Sequence, residues 1–341
     1  MSGVAVETAP AALRWGVNLP LPELTLPAHR ETIVALPDLG FSSVWTGEGG
    51  GLDAFTALAA AAAWQPRLDL GTGVVPVATR GHGVLAQTAA TLAELTEGRV
   101  LLGVGSSVEA HVTALNGVPF RKPLTRTRDT VRVLRRALNS APITEAYETV
   151  DARGFALPAP PARPPRVILG ALRRQMLRFA YDEGDGAILN LVFADDLAEV
   201  LARADAPRPG KETVVKLFVC PTADRAYARA AGRQFLGWLL NQKPYHAFHA
   251  ELPNGPRLAA SQERFLAGDA RGAGAALPDD LVDELWISGT PAACRERIAR
   301  YLPPGVTTVL LYVAPTPELR RDPAALPWLL ETLRPEAPVH A

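Results

Sequence analysis

Apolar and polar positions along the 341-residue chain follow two alternating periods. Short apolar runs of strand character are separated by longer stretches with apolar residues three and four apart, the spacing of a helix that buries one face. The first strand reads LRWGVNLP, Leu13 to Pro20, and the second SSVWTGE, Ser42 to Glu48. LGTGVVPVATR, Leu70 to Arg80, is the third, and RVLLGVGSS, Arg99 to Ser107, the fourth. RVILGA from Arg166, GAILNL from Gly186, VVKLFVCP from Val214 and TTVLLYVAP from Thr307 complete a set of eight. Among the helical stretches, PLTRTRDTVRVLRRALN puts Leu124, Val131, Leu134 and Leu138 on one face with arginines around it. The Pro-rich LPAPPARPP, Leu157 to Pro165, is neither regular helix nor central strand, because proline lacks the N–H that both ladders use. Between the seventh and eighth strands the chain is long and mostly helical, with Thr290 placed to cap a helix whose first residue is Pro291.

Continuously apolar strands that alternate with helices predict a parallel sheet buried on both faces. Eight of them in a chain of this length predict a single (β/α)8 TIM barrel over residues 1–341, with insertions at 108–165 and 222–285. A doubly wound open sheet is the alternative. A barrel of this kind displays its chemistry at the C-terminal ends of the strands. The positions of interest are then Asn18, Glu48, Pro76 to Arg80, Ser106, Ser107, Leu172 to Arg174 and Asn190. Two glycines inside the third strand, Gly71 and Gly73, mark a bend or a close approach by backbone or ligand.

Charge and composition narrow the function. Lys+Arg and Asp+Glu each number 35, so the formal net charge is zero, which argues against broad electrostatic binding to nucleic acid or an anionic membrane. No apolar run reaches the roughly 18–20 residues of a membrane span, and the start, MSGVAVETAP, lacks the pattern of a signal peptide. The two cysteines, Cys220 and Cys294, sit in no metal-ligand spacing and read as buried small hydrophobes. The expectation is a soluble, cytoplasmic protein in a reducing compartment. GVGSSV and GTGVVP both lack the third glycine of a dinucleotide fingerprint, and no phosphate loop, HExxH or GxSxG is present. His246 and His249 share a helical spacing without an acidic or cysteine partner, so no metal site is expected.

The blocks VWTGEGGGLDAFTALAAAAAW, LDLGTGVVPVATRGHGVLAQTAATLAELTEGRVLLGVGSS and NGVPFRKPLTRTRDTVRVLRRALN resemble the luciferase-like monooxygenase superfamily. More narrowly they resemble its branch of oxidoreductases that use coenzyme F420, a deazaflavin. The resemblance implies a non-prolyl cis peptide at Gly73–Val74 in a bulge that backs the cofactor ring. A plain all-trans bulge is the alternative there. By the same resemblance Thr79 and Arg80 face the cofactor tail, and Ser106 and Ser107 lie near ring or tail. The turn Gly170, Ala171 and Leu172 binds the cofactor phosphate through backbone N–H groups, with Arg173 or Arg174 adding charge. The chain departs from the family here, having Arg173-Arg174 where Gly-Pro is common.

Glu48, where relatives carry Asp or Asp-His, is the expected general acid/base. An ion pair with a rim arginine is the other reading of Glu48. His82 is a second candidate on the substrate side. Asn18 is placed to bond the ring or substrate, Asp53 to cap the following helix, and Trp45 to fill the core. The implied activity is hydride transfer between the deazaflavin C5 and a small substrate with a C=N, C=C or C=O bond. An FMN-dependent monooxygenase fed by a separate flavin reductase is the alternative, and a non-catalytic flavin-binding barrel comes from another class. Family barrels commonly pair as homodimers.

Overall fold

The computed structural model describes residues 13–49, 51–139 and 141–334. The N-terminal stretch read above, MSGVAVETAP, and the last seven residues lie outside this range.

Ten strands form one parallel sheet: β1 (Arg14–Asn18), β2 (Ser43–Thr46), β3 (Asp69–Thr72), β4 (Val75–Pro76), β5 (Val100–Gly105), β6 (Arg166–Gly170), β7 (Gly186–Asn190), β8 (Glu212–Cys220), β9 (Trp286–Ser288) and β10 (Thr308–Val313). The order runs β10-β1-β2-β3-β5-β6-β7-β8, and β8 pairs again with β10 over Val214–Val219 and Thr308–Val313. The sheet therefore closes, and the open doubly wound alternative is excluded. Eight barrel positions alternate with helices, as the pattern of periods requires.

Two details differ from the sequence reading. The third strand is not one run to Arg80 but β3 and β4, separated at Gly73–Val74, with a turn over the residues that follow. The three-residue β9 was not foreseen. It pairs with β8 at Phe218–Cys220, beyond the stretch of β8 that β7 covers. The stretch 222–285 is helical, as expected, and includes the helices Arg225–Leu239 and Lys243–Ala250. Thr290 does cap its helix, accepting from the Ala293 N–H at 3.3 Å.

Alternation along each strand sends every second side chain into the barrel, and these stack in layers. The middle layer is apolar: Trp45, Leu101, Ile168, Ile188, Val214 and Leu310 form one buried cluster. Trp45 is fully buried, as its core assignment anticipated. Gly71 and Gly16 make room for it. A Cβ on Gly71 would stand 2.1 Å from the indole and one on Gly16 2.8 Å from it. The close approach marked by Gly71 is thus answered from inside the protein, by Trp45.

Two residues earlier along the strands lies the layer at the N-terminal end. Glu212 sits there, 2% exposed, and is bonded by Arg14, by Arg99 at 2.8 Å, by Arg166 at 2.7 Å and by the Thr307 hydroxyl at 2.8 Å. A buried carboxylate is tolerated only with such partners. Burial opposes its charge, but the surrounding arginines and Thr307 outweigh that cost and hold the carboxyl below its ordinary pKa.

Candidate active site

Two residues later along the strands lies the layer at the C-terminal end, where it holds both polar groups and open space. On the β7–β8–β10–β1 side, Lys216 follows Val214 on the inward face of β8. Its Nζ donates to Asn18 Oδ1 at 2.8 Å and lies 5.6 Å and 5.9 Å from the ring centres of Phe218 and Tyr312. Desolvation pushes the Lys216 pKa down to about 8, with no charged neighbour contributing. The Asn18 amide donates to the Leu19 carbonyl at 2.7 Å. Asn18 is buried, and its oxygen and its amide group each have one protein partner, through which it holds Lys216 in place. Beside Lys216 in the sheet register, Asn190 bonds the Tyr245 hydroxyl at 3.1 Å.

The opposite side, over β3–β6, is nearly bare of side chains. The Gly73–Val74 peptide is cis. Val74 leans toward Gly105 and Gly170, where a Cβ would stand 3.1 Å and 3.2 Å from its methyl groups. The wall they form is apolar and half-buried at Gly73, Val74 and Gly170, a surface that suits one face of a planar ring. Ser106 and Ser107 follow at the end of β5 and are half-buried. The Ser106 hydroxyl donates to the Ser107 carbonyl at 3.2 Å. Ser107 adopts a left-handed backbone (φ 58°), and the next helix takes Val108, not Ser107, as its N-cap.

At the rim beside this wall, Glu48 is tied to Arg80: both Nε, at 2.8 Å, and Nη2 of the guanidinium donate to Glu48 Oε1. Arg80 also pairs with Asp53 and lies 5.0 Å from the Phe55 ring centre. The hydrogen bond to Glu48 is the main reason the Arg80 pKa stands above its ordinary value. The alternative given for Glu48, a rim ion pair, is the arrangement present. Arg80 is correspondingly turned toward carboxylates rather than standing free for a cofactor tail. Asp53 caps its helix as expected, accepting from Thr56 N–H at 2.8 Å. The Thr79 hydroxyl is spent on the Pro76 carbonyl at 3.0 Å. Glu48, Leu52, Asp53, Thr79, Arg80 and Asn116 line a cavity of about 350 Å³. The backbone N–H of Glu48 donates to the Val74 carbonyl at 3.2 Å, which fixes this rim to the cis bulge. His82 opens the helix His82–Leu95 and meets Phe155 edge-on at 6.1 Å. Burial, with the charge of Arg126 second, lowers its pKa, so the imidazole is neutral at pH 7.

Beyond β6 the chain enters the helix Arg174–Asp182, whose N-cap Arg173 provides no side-chain cap. Free N–H groups at a helix start favour an anion. The Ala171 N–H is not among them, since it donates to the Ile188 carbonyl at 3.2 Å in the sheet. Arg173 pairs with Glu251, its Nε donating at 2.7 Å, and Arg174 is exposed without an ion pair among the described residues.

Sequence reading missed Lys216, Tyr245 and Tyr312. A lysine inside the apolar run VVKLFVCP was the available signal, because period two places it on the same face as Val214 and Phe218. Tyr245 and Tyr312 carried no comparable mark.

The chain matches the model of the luciferase-like monooxygenase family over residues 12–308. It is 30% identical over 343 residues to a Mycobacterium tuberculosis protein described as a coenzyme F420-dependent oxidoreductase, covering 92% of this chain and 96% of that one. Its fold resembles the coenzyme F420-dependent tetrahydromethanopterin reductase from Methanopyrus kandleri, with a TM-score of 0.72 at 19% identity, over 95% of this chain and 97% of that one. It also resembles the oxygenating component of 3,6-diketocamphane monooxygenase from Pseudomonas putida with bound FMN, with a TM-score of 0.61 at 17% identity, over 94% and 97%. By sequence and by fold, this enzyme belongs to the luciferase-like monooxygenase family.

Proposed function

We propose that this enzyme is a coenzyme F420-dependent oxidoreductase that moves a hydride to or from a small organic substrate. The observation that carries the reading is the bare wall of Gly73, Val74, Gly105 and Gly170 facing a polar wall across one barrel mouth. The similarity to the mycobacterial oxidoreductase supports the choice of cofactor. When bound, the deazaflavin supplies a two-electron hydride donor or acceptor at its C5.

The residues present suit such a group. Gly73 and Val74 offer an apolar face, with Ser106 and Ser107 at its edge. The backbone at Gly170 and Leu172, the start of the helix Arg174–Asp182 and the Arg174 side chain would take a phosphate. Thr79 and Arg80 border the cavity that leads off the rim. Glu48, held beside the bulge by Arg80, is the proton-handling carboxylate, and neutral His82 is the second group able to take a proton. Proton transfer by a positioned side chain of this sort contributes typically about 10²–10⁴ in rate.

The substrate is a small molecule, and Cys220 and Cys294, both free and buried, fit a reducing compartment such as the cytoplasm. Pairing as a homodimer is part of this proposal and has only the resemblance to the family behind it. The FMN reading is favoured by the FMN-bound neighbour and would require a separate flavin reductase. Parallel titration of the purified protein with deazaflavin and with FMN, followed by fluorescence quenching, decides between them. Tighter binding of the deazaflavin is expected. A preference for FMN with oxygen uptake overturns the reading, and binding without turnover of any substrate favours the non-catalytic barrel.

A further inference from the structure

We propose that the recess between Lys216 and the aromatic side chains of Phe218, Phe235 and Tyr312 binds the carboxylate of a substrate with an apolar or aromatic body. The proposal names the substrate class for the site described above and rests on that reading only in calling the ligand a substrate.

Four observations converge on this recess. First, among the described residues Lys216 is a cation inside the barrel without a counter-ion: its one acceptor there is the neutral Asn18 amide oxygen, at 2.8 Å. An ammonium carries three donors, so two remain for a ligand. Second, the groups around it are neutral. Asn18 comes from β1, Tyr312 from β10, and Asn190 with Tyr245 from β7 and the helix Lys243–Ala250. Burial raises the pKa of both tyrosines, so neither is an anion near neutral pH. Third, the adjoining surface is aromatic. Phe218 lies 4.8 Å from Phe235 and 5.3 Å from Tyr312, and Phe235 lies 5.3 Å from Trp286, centre to centre. Fourth, Lys216, Phe235, Tyr245 and Tyr312 are only half-buried, so each keeps some surface that a ligand can reach.

A half-buried charge without a partner is costly. A carboxylate would supply the missing acceptor through a charge-assisted hydrogen bond, while the rings cover the rest of the molecule. The contrast with Glu212, on the same face of the same strand, is direct: that charge has its partners built in.

Benzoate is the probe. Calorimetric titration of benzoate into the full-length protein at pH 7 is expected to give saturable binding. The affinity should fall roughly tenfold or more in Lys216→Met and stay within a few-fold of wild type in Lys216→Arg. Benzyl alcohol should bind more weakly and be indifferent to Lys216→Met. In wild-type protein, benzoate affinity should fall as pH rises above about 8, where Lys216 loses its proton. This arm needs no variant and stands even if Lys216→Met fails to fold.

Absence of saturable benzoate binding, binding equal in Lys216→Met, or tighter Lys216-dependent binding of inorganic phosphate would each overturn the proposal. The cofactor titration separates the two claims. Deazaflavin binding without benzoate binding leaves the oxidoreductase standing and removes this substrate class. Lys216-dependent benzoate binding without deazaflavin binding does the reverse.

Discussion

Glu212 and Lys216 lie four residues apart on one face of one strand, with only Val214 between them on that face, yet their surroundings are opposite. At the N-terminal end of the barrel, three arginines and a threonine close on Glu212, and its carboxyl is held below its usual pKa. At the C-terminal end a single amide oxygen among the described residues meets Lys216, and burial pushes its ammonium pKa down to about 8. The apolar layer of Trp45, Leu101, Ile168, Ile188, Val214 and Leu310 separates them. The difference teaches how to sort buried charges in this barrel. A charge whose partners are complete belongs to the architecture, and one left short of partners stands where a ligand is expected.

The largest effect should come from breaking the complete end. Glu212→Gln removes the charge and leaves Arg14, Arg99 and Arg166 facing one another, so stability should fall by about 3–5 kcal/mol in urea unfolding. The sign of the pH dependence follows from the lowered pKa. The Glu212 contribution is in place above the unfolded carboxyl pKa and is lost as pH falls through the folded value. Glu212→Gln should therefore flatten the acid side of the stability profile.

At the other end, a change should cost function before stability. Glu48→Gln is expected to lower kcat about 100-fold or more, with a small shift in melting temperature. A loss confined to KM would instead assign Glu48 and Arg80 to binding. Between the two ends, Gly71→Ala drives a methyl group into Trp45 and should cost about 1–3 kcal/mol by overpacking, read by urea unfolding. At the exposed rim, Asp53→Ala removes the cap of the helix Ala54–Trp64 and should cost about 0.5–2 kcal/mol.

The most delicate comparison is in alkali. The lowered Lys216 pKa penalises the folded state fully below about 8, and the penalty is relieved as pH rises toward the ordinary 10.5. Any stability advantage of Lys216→Met over wild type should thus shrink between those pH values. An advantage that stays constant would mean that the Lys216 ammonium is well solvated and that the two ends are less different than their geometry implies.

What the sequence disclosed was mostly local. Apolar runs marked the eight barrel strands, Asp53 and Thr290 announced their helices, and the glycines at 71 and 73 flagged a crowded place. What it concealed depends on partners far along the chain. The room at Gly71 serves Trp45, on a neighbouring strand, and no local pattern shows that. The Glu212 cluster draws on β1, β6 and the residues just before β5 and β10, and its members look like ordinary strand-end polar residues one at a time. β9 is three residues long and directly follows a helix, too short for any period to appear. At the site, position alone found Asn18, Glu48 and Asn190 but not what each would hold. The pairing of Glu48 with Arg80, and of Arg173 with Glu251, appears only when the loops are folded against each other.

The central claim is that the C-terminal mouth has a bare wall for the cofactor and a charged wall for the substrate. A crystal structure of the complex with coenzyme F420 tests it most directly. The account predicts the deazaflavin ring against Gly73–Val74, Gly105 and Gly170, with the Lys216 recess left free opposite it. A ring seated over Lys216 and the aromatic cluster, or a deazaflavin bound away from the bulge, would contradict it.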